Sequence, residues 1–141
     1  MPVTHPLDTS VCSQPISKQP HPDVMKRWQT LGDTALVTSA ICEAEILFGI
    51  RKNNSTKLAA SYETILKGRY DALPVDSAVA AAYAELRADC ESRGAHVADM
   101  DLLIAATAKA NNLILATLNT NDFHAIKGIT VEDWAIPLAV I

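Results

Sequence analysis

The stretch ALVTSAICEAEILFGIRK, residues 35–52, reads as a β-strand that runs directly into an α-helix. Its first four residues, Ala-Leu-Val-Thr, include the apolar and β-branched side chains that are typical of strands. Ser39 follows them, and a serine hydroxyl is a common N-terminal cap of a helix. We predict that this helix extends to about Lys52, so that the stretch forms one strand–helix unit.

The same alternation of strands and helices continues on both sides of this unit. Further helices are predicted from Pro22 to Gly32, over about 56–70, from Asp76-Ser77 to Gly94 and over about 98–111, and a first helix is interrupted at Pro15. Further strands are predicted to end near Leu7 and to cover 113–117 and 129–131, with a short extended segment at 73–75.

Strands that are separated by helices require crossover connections. The order of elements therefore predicts an α/β fold with a mostly parallel central sheet covered by helices on both faces. In such sheets, ligands bind outside the carboxyl ends of the strands. Candidate functional residues should accordingly follow strands.

The 141 residues, 49% of them hydrophobic and 20% charged, have the composition of a globular protein, and we assign residues 1–141 to one domain. No apolar run approaches the roughly 20 residues that span a bilayer, so no membrane association is expected. The N-terminus lacks the basic and apolar stretches of a secretory signal. We therefore expect a cytoplasmic protein.

The positions of cysteine and histidine argue against a zinc site or a disulfide framework. Three cysteines and four histidines are scattered without the short spacings that such sites require. The net charge of −4 argues against a protein that binds nucleic acid through a basic surface alone. It does not exclude a nuclease, because a carboxylate site carries negative charge until a metal binds.

Two acidic residues follow predicted strands, at the edge of the sheet where a ligand should bind. Asp8 comes directly after the first strand, and Asp122 lies in the turn after the strand that ends at Thr117. The alternative interpretations are that Asp8 only caps a helix and that Asp122 is only a turn residue.

Two further acids interrupt apolar faces of predicted helices. Glu45 is spaced with Ile41 and Phe48 at i, i+4 and i+7, and the stripe of Asp101 continues through apolar residues at 104–108. An unpaired buried carboxylate costs several kcal/mol, so these positions suggest a functional role. The alternative is that both side chains point into solvent.

A cluster of these four carboxylates needs a cation or protonation to be stable. Two carboxylates about 4 Å apart repel by roughly 4 kcal/mol at an effective dielectric constant near 20. Oxygen ligands without histidine or cysteine favour Mg²⁺ or Mn²⁺ over zinc. A metal held in this way polarises a phosphodiester and activates a bound water. Spacing alone predicts an acidic site for one or two metals and does not identify RNA.

Five segments resemble those of the PIN-domain endoribonucleases, in particular the VapC-type toxins of bacterial toxin–antitoxin pairs. They are LDTSV (7–11), TSAICEAEILFGI (38–50), VADMDLLIAATAKAN (97–111), ATLNTNDF (116–123) and GITVEDW (128–134). They occur in the family's order and together span nearly the whole chain. The resemblance implies a three-layer α/β/α PIN-like fold.

The resemblance also implies which residues form the site. The positions that match the family's catalytic and metal-binding acids, which would hold Mg²⁺ or Mn²⁺, are Asp8, Glu45, Asp101 and Asp122. Three further matches are polar residues that would help to order the site: Ser10, Thr117 and Asn119. Asp99 is a candidate auxiliary acid, although its spacing from Asp101 favours an N-terminal cap.

The activity that the resemblance implies is hydrolysis of RNA by a metal-activated water. The expected substrate is tRNA, with ribosomal RNA as the alternative, and the expected partner is a VapB-type antitoxin that occludes the site of a homodimeric toxin. We expect the antitoxin to insert Arg or Lys among the acids, because a metal-free site carries uncompensated negative charge. One departure from the family is the first strand, where His5 and Pro6 suggest a frayed or edge-like strand.

Two alternatives to a nuclease stay open at this point. The first is a catalytically silent PIN-like module that binds RNA or protein. The second is a phosphatase with an aspartyl nucleophile, but such enzymes typically need a DxD motif, and Thr9-Ser10 follow Asp8 here. Six basic residues are candidate phosphate contacts, with solvated surface as the alternative for each: Lys18, Lys26, Arg27, Arg51, Lys52 and Lys57.

Overall fold

The structure is a computed structural model that describes residues 2–136. Its five strands are β1 (His5–Pro6), β2 (Leu36–Ser39), β3 (Ala72–Leu73), β4 (Ile114–Thr117) and β5 (Thr130–Asp133). Its seven α-helices are α1 (Thr9–Cys12), α2 (Pro22–Leu31), α3 (Ala40–Asn53), α4 (Thr56–Ser61), α5 (Ser77–Ser92), α6 (Asp99–Ala110) and α7 (Thr120–Phe123). Short 3₁₀ turns cover Gln14–Ile16 and Asp33–Ala35, and a π-helical turn covers Tyr62–Leu66.

The strands pair in parallel in the spatial order β3-β2-β1-β4-β5. Parallel ladders join β1 to β2, β2 to β3, and β4 to β5. A parallel bridge between Leu7 and Ala116 joins the two groups of strands. Because the strands are parallel, their carboxyl ends lie along one edge, as the alternation of strands and helices predicted.

Two apolar cores lie on opposite faces of the sheet. Successive strand residues point to opposite faces, and Leu115 packs in one core whereas its neighbour Ala116 packs in the other. Leu86 of α5 and Leu102 of α6 belong to the first core. Trp28 of α2 belongs to the second, together with residues of α1. The predicted three-layer α/β/α architecture is confirmed.

The first strand lies inside the sheet, so the expectation of a frayed or edge-like strand is wrong. β1 pairs with β2 on one side and contacts β4 on the other. Pro6 cannot donate a hydrogen bond, but two backbone bonds flank it at the β1–β4 junction: Ile114 N donates to Thr4 O at 3.0 Å and Asp8 N donates to Ala116 O at 2.9 Å. The proline therefore interrupts this junction without moving the strand to an edge.

His5 is buried in β1 beside a carboxylate of β5. Its Nε2 lies 3.3 Å from Glu132 Oε1, and the same oxygen accepts hydrogen bonds from Arg27 Nη1 and Trp134 Nε1, both at 2.9 Å. Arg27 Nη2 also donates to the carbonyl of Ile136 at 2.7 Å. Arg27, 8% exposed, is thus committed to an internal ion pair and is not available as the predicted phosphate contact.

Two predicted helix caps are present in the structure, whereas one predicted helix is shorter than expected. The side chain of Ser39 accepts a hydrogen bond from Cys42 N, and Asp76 accepts one from Val79 N, so both predicted caps are confirmed. The helix predicted over 56–70 is too long, because α4 ends at Ser61 and continues only as the π-helical turn. Within residues 2–136, no helix has the length and apolarity needed to cross a membrane.

We expect Arg27→Met to lower the free energy of unfolding by about 2 kcal/mol, because it removes hydrogen bonds at a buried position and leaves Glu132 without its cation. Urea denaturation measures the change. The matched control is Arg87→Met, whose side chain is 47% exposed in its pair with Glu91 and whose loss should lower the free energy of unfolding much less. Equal losses in the two variants would contradict this role of Arg27.

Candidate functional site

The carboxyl ends of β1 and β4 form a crevice at the point where the strand order reverses. From β1 the chain proceeds to β2 and β3 on one side, whereas β4 and β5 lie on the other. Open α/β sheets bind ligands at such a reversal. Asp8 follows β1 and Thr117 ends β4, so both residues lie at this crevice.

Asp8 occupies the N-cap position of α1, but its side chain makes no capping hydrogen bond. Instead Oδ2 accepts hydrogen bonds from Ser10 Oγ at 2.9 Å and from Thr117 Oγ1 at 2.8 Å. Residue Asp8 is only 5% exposed. The carboxylate is therefore fixed by hydroxyls at the crevice and does not serve the helix end.

The same hydroxyls tie α1 to the turn that follows β4. Ser10 Oγ accepts a hydrogen bond from Leu118 N at 3.0 Å, and Thr117 Oγ1 accepts one from Asn119 N at 2.9 Å. Asn119 takes part through its backbone, and its exposed side chain makes no capping bond to α7. The predicted polar residues Ser10 and Thr117 thus contact Asp8 directly, whereas Asn119 holds one of them in place.

Glu45 reaches the crevice from the middle of α3. Its Oε1 accepts a hydrogen bond from Thr9 Oγ1 at 2.6 Å, a contact that the sequence pattern did not predict. The prediction that Phe48 belongs to the packed face of α3 is wrong, because its side chain is 65% exposed. The buried side chains of this helix are those of Cys42 and Ile46, which pack in the cores. Glu45 lies half-buried at the border of the packed face, which explains why periodicity alone misjudged its neighbours.

Asp101 lies in the first turn of α6, half-buried, and the apolar residues at 104–108 behind it are buried as expected. Burial, and to a smaller extent repulsion from Asp122, Asp8 and Glu45, together raise the pKa of this carboxyl to about 6. Charges repel measurably only when they are close together or share a poorly solvated region. Asp101 therefore faces the same crevice as the other three acids.

Asp122 and Asp99 differ in their relation to this crevice. Asp122 is exposed in the first turn of α7, and its charge acts on Asp101. Asp99 is the first residue of α6, and Ala98 occupies the cap position, so the expectation of an Asp99 cap is wrong. The Asp99 carboxylate instead accepts a hydrogen bond from Tyr83 Oη at 2.9 Å and lies 3.5 Å from Arg87 Nη1.

The ligand chemistry at the crevice is that of oxygen atoms. Cys12 and Cys42 lie near Asp8, but burial raises the pKa of these thiols to about 11 and about 12, which keeps them protonated at neutral pH. In the part of the chain from 2 to 136, no three His, Cys, Asp or Glu side chains lie close enough together to form a complete metal site. The four acids share an electrostatic field without being in coordination contact.

Comparisons with known proteins agree with this geometry. The family model of the PIN domain matches residues 7–129. Toxin FitB of Neisseria gonorrhoeae is 35% identical over 136 residues, which cover 91% of this chain and 96% of that protein. The tRNA(fMet)-specific endonuclease VapC of Shigella flexneri is 29% identical over 129 residues, which cover 92% and 96% of the two chains.

Solved structures extend the similarity to three dimensions. The crystal structure of DNA-bound VapBC from Salmonella typhimurium matches with a TM-score of 0.82 and 26% identity, covering 94% of this chain and 98% of that chain. The family model spans most of the sequence, and one of the relatives is more than 30% identical over nearly the whole chain. On these grounds the chain belongs to the PIN domain family.

Proposed function

We propose that this protein is a metal-dependent endoribonuclease that hydrolyses RNA phosphodiesters and acts as a toxin under the control of an antitoxin. The observation that carries the proposal is that Asp101 lies close enough to Asp122, Asp8 and Glu45 for their charges to add to burial in raising its pKa. The relatives named as a toxin and as a tRNA-specific endonuclease support the same activity.

The four acids fit a divalent cation in ligand type and in charge. Carboxylate oxygens are the ligands that Mg²⁺ and Mn²⁺ prefer, and a cation would offset the repulsion that Asp101 experiences. Asp8, Asp101 and Asp122 would hold the ion, with Glu45 acting directly or through water. The bound metal supplies a polarised phosphate and a more acidic water.

Neighbouring hydroxyl groups fix the orientation of two of these carboxylates. Ser10 and Thr117 hold one oxygen of Asp8, and Thr9 holds one oxygen of Glu45, so both carboxylates are oriented before a substrate arrives. Asp101 has no such hydrogen bond among the described side chains and has a raised pKa. In the metal-free protein its carboxyl therefore keeps a proton to a higher pH than an ordinary aspartate does.

We further propose tRNA as the substrate and an antitoxin of the VapB type as the partner. The tRNA proposal is supported by the name of the Shigella relative, and the partner proposal by the solved VapBC structures that this chain resembles. An antitoxin that places Arg or Lys among the four acids would offset their charge in place of the metal. We expect the toxin to form a homodimer, as the family resemblance implies.

Asp8→Asn and Asp101→Asn should each lower kcat/KM for cleavage of total tRNA, in Mg²⁺ or Mn²⁺, by about 100-fold or more, because each removes a charge from the site. Gel analysis of the digests, with melting curves to verify folding, measures the loss. The matched control is Asp99→Asn, two residues from Asp101 on the same helix but bound to Tyr83, which should change kcat/KM less than threefold.

Three different outcomes would contradict the proposal. Equal cleavage by wild type and both variants would mean that the activity arises elsewhere. No cleavage by the wild type, together with no heat of Mn²⁺ binding that depends on Asp8, would favour the catalytically silent module. Turnover of a small phosphate ester, in place of RNA, would favour the phosphatase.

In metal-free buffer, Asp101→Asn should raise the free energy of unfolding at pH 7–8 by on the order of 1 kcal/mol, a value discounted for solvent screening. The folded-state pKa of Asp101, about 6, lies above its unfolded value, so the protonated carboxyl favours the fold below about pH 4 and this stability is lost as the pH rises through 6. The advantage of the variant should therefore disappear on acidification.

Denaturation from pH 4 to 8 tests this dependence, with Asp99→Asn as the control that should gain no stability. Millimolar Mn²⁺ should stabilise the wild type and have a smaller effect on Asp101→Asn, because a ligand stabilises only the state that binds it. A pH-independent difference between wild type and Asp101→Asn would show that Asp101 does not share the field of the other acids.

A further inference from the structure

A groove leads away from the carboxylate site along one side of the molecule. It begins with a depression of about 260 Å³ beside Thr9 and Glu45. This depression merges with a second one of about 500 Å³, because both are lined by Ile16, Ser17, Asn53 and Leu58. The far end lies at Lys18 and Lys57. We call this continuous depression the flank groove.

The segments that form the walls of the flank groove have an unusual charge balance for this protein. Residues 9–22 and 46–62 contain no Asp or Glu, in a chain with 16 acidic residues and a net charge of −4. They contain four basic residues, all of them exposed: Lys18, Arg51, Lys52 and Lys57. Positive charge is therefore concentrated next to an acidic site.

These positive charges are available for an external anion. Most other basic residues form ion pairs, as Lys109 does with Glu85 and Arg69 with Asp33. Within residues 2–136, neither Lys18 nor Lys57 lies within ion-pairing distance of a carboxylate. Neither lysine forms an ion pair with an acidic residue, so both can contact phosphates.

The side chains that line the flank groove suit single-stranded RNA better than a duplex. Ile16, Leu58 and Ile65 provide apolar surface, and the polar side chains of Asn53 and Ser17 lie beside them. Bases can reach such side chains only when they are unpaired, which is how most sequence-specific RNA recognition occurs.

We propose that the flank groove binds an unpaired segment of the RNA substrate next to the phosphate that is cleaved, with Lys18 and Lys57 contacting backbone phosphates. This inference rests on the proposed endoribonuclease function and adds the form of the substrate. The two lysines act as positioning residues, since they lie at the far end of the groove from Glu45 and do not touch the reacting phosphate.

The test compares wild type with Lys18→Gln/Lys57→Gln on an unpaired RNA oligomer that spans the main cut site found in the tRNA digest. The double variant should raise KM by on the order of 10- to 30-fold at 0.1 M salt and lower the salt dependence of log KM by about 1.4, or 0.7 for each lost phosphate contact. The value of kcat should stay within twofold. A merely structural role of the lysines would not change the salt dependence.

The matched control is Lys67→Gln/Lys127→Gln, which removes the same charge from two exposed lysines that do not line the flank groove. Equal effects of the two double variants, or none, would overturn the inference while wild-type cleavage leaves the endoribonuclease in place. Absence of wild-type cleavage would overturn both. Unchanged KM combined with weaker inhibition by the antitoxin would assign the groove to the protein partner and also overturn the inference.

Discussion

Electrostatic repulsion between carboxylates in one crevice is the constraint on which the rest of this structure depends. The carboxylates differ in the hydrogen bonds that they receive. Asp8 and Glu45 accept hydrogen bonds from neighbouring hydroxyls, which fix the orientation of their carboxylates. Asp101 receives no such bond from the described side chains, and burial together with the neighbouring charges raises its pKa. A cation bound beside Asp101 would offset this repulsion.

The strand order makes this concentration of charge possible. β1 lies between β2 and β4, so the order of strands along the chain reverses at the carboxyl ends of β1 and β4. A carboxylate placed there can be held by hydroxyls from both halves of the sheet, as Ser10 and Thr117 hold Asp8. Cores on both faces keep these strands fixed, so the acids remain near each other despite their repulsion.

Features set by local sequence were predictable, and features set by packing were not. The caps at Ser39 and Asp76 and the buried stripe behind Asp101 depend on neighbouring residues, and all three are present. Which face of α3 packs depends on distant elements, so the exposure of Phe48 could not be deduced from spacing. The central position of β1 was misjudged for the same reason, because Pro6 is tolerated there only through backbone bonds to β2 and β4.

The hydrogen bond from Thr117 to Asp8 spans 109 positions of the chain. During synthesis, the amino-terminal aspartate is made early and its hydroxyl donor very late. A nascent chain still lacking β4 and α7 therefore has neither the hydroxyl that orients Asp8 nor the carboxylate of Asp122. Contacts of such high sequence separation also form late in folding. A chain that ended before β4 would thus lack a finished site.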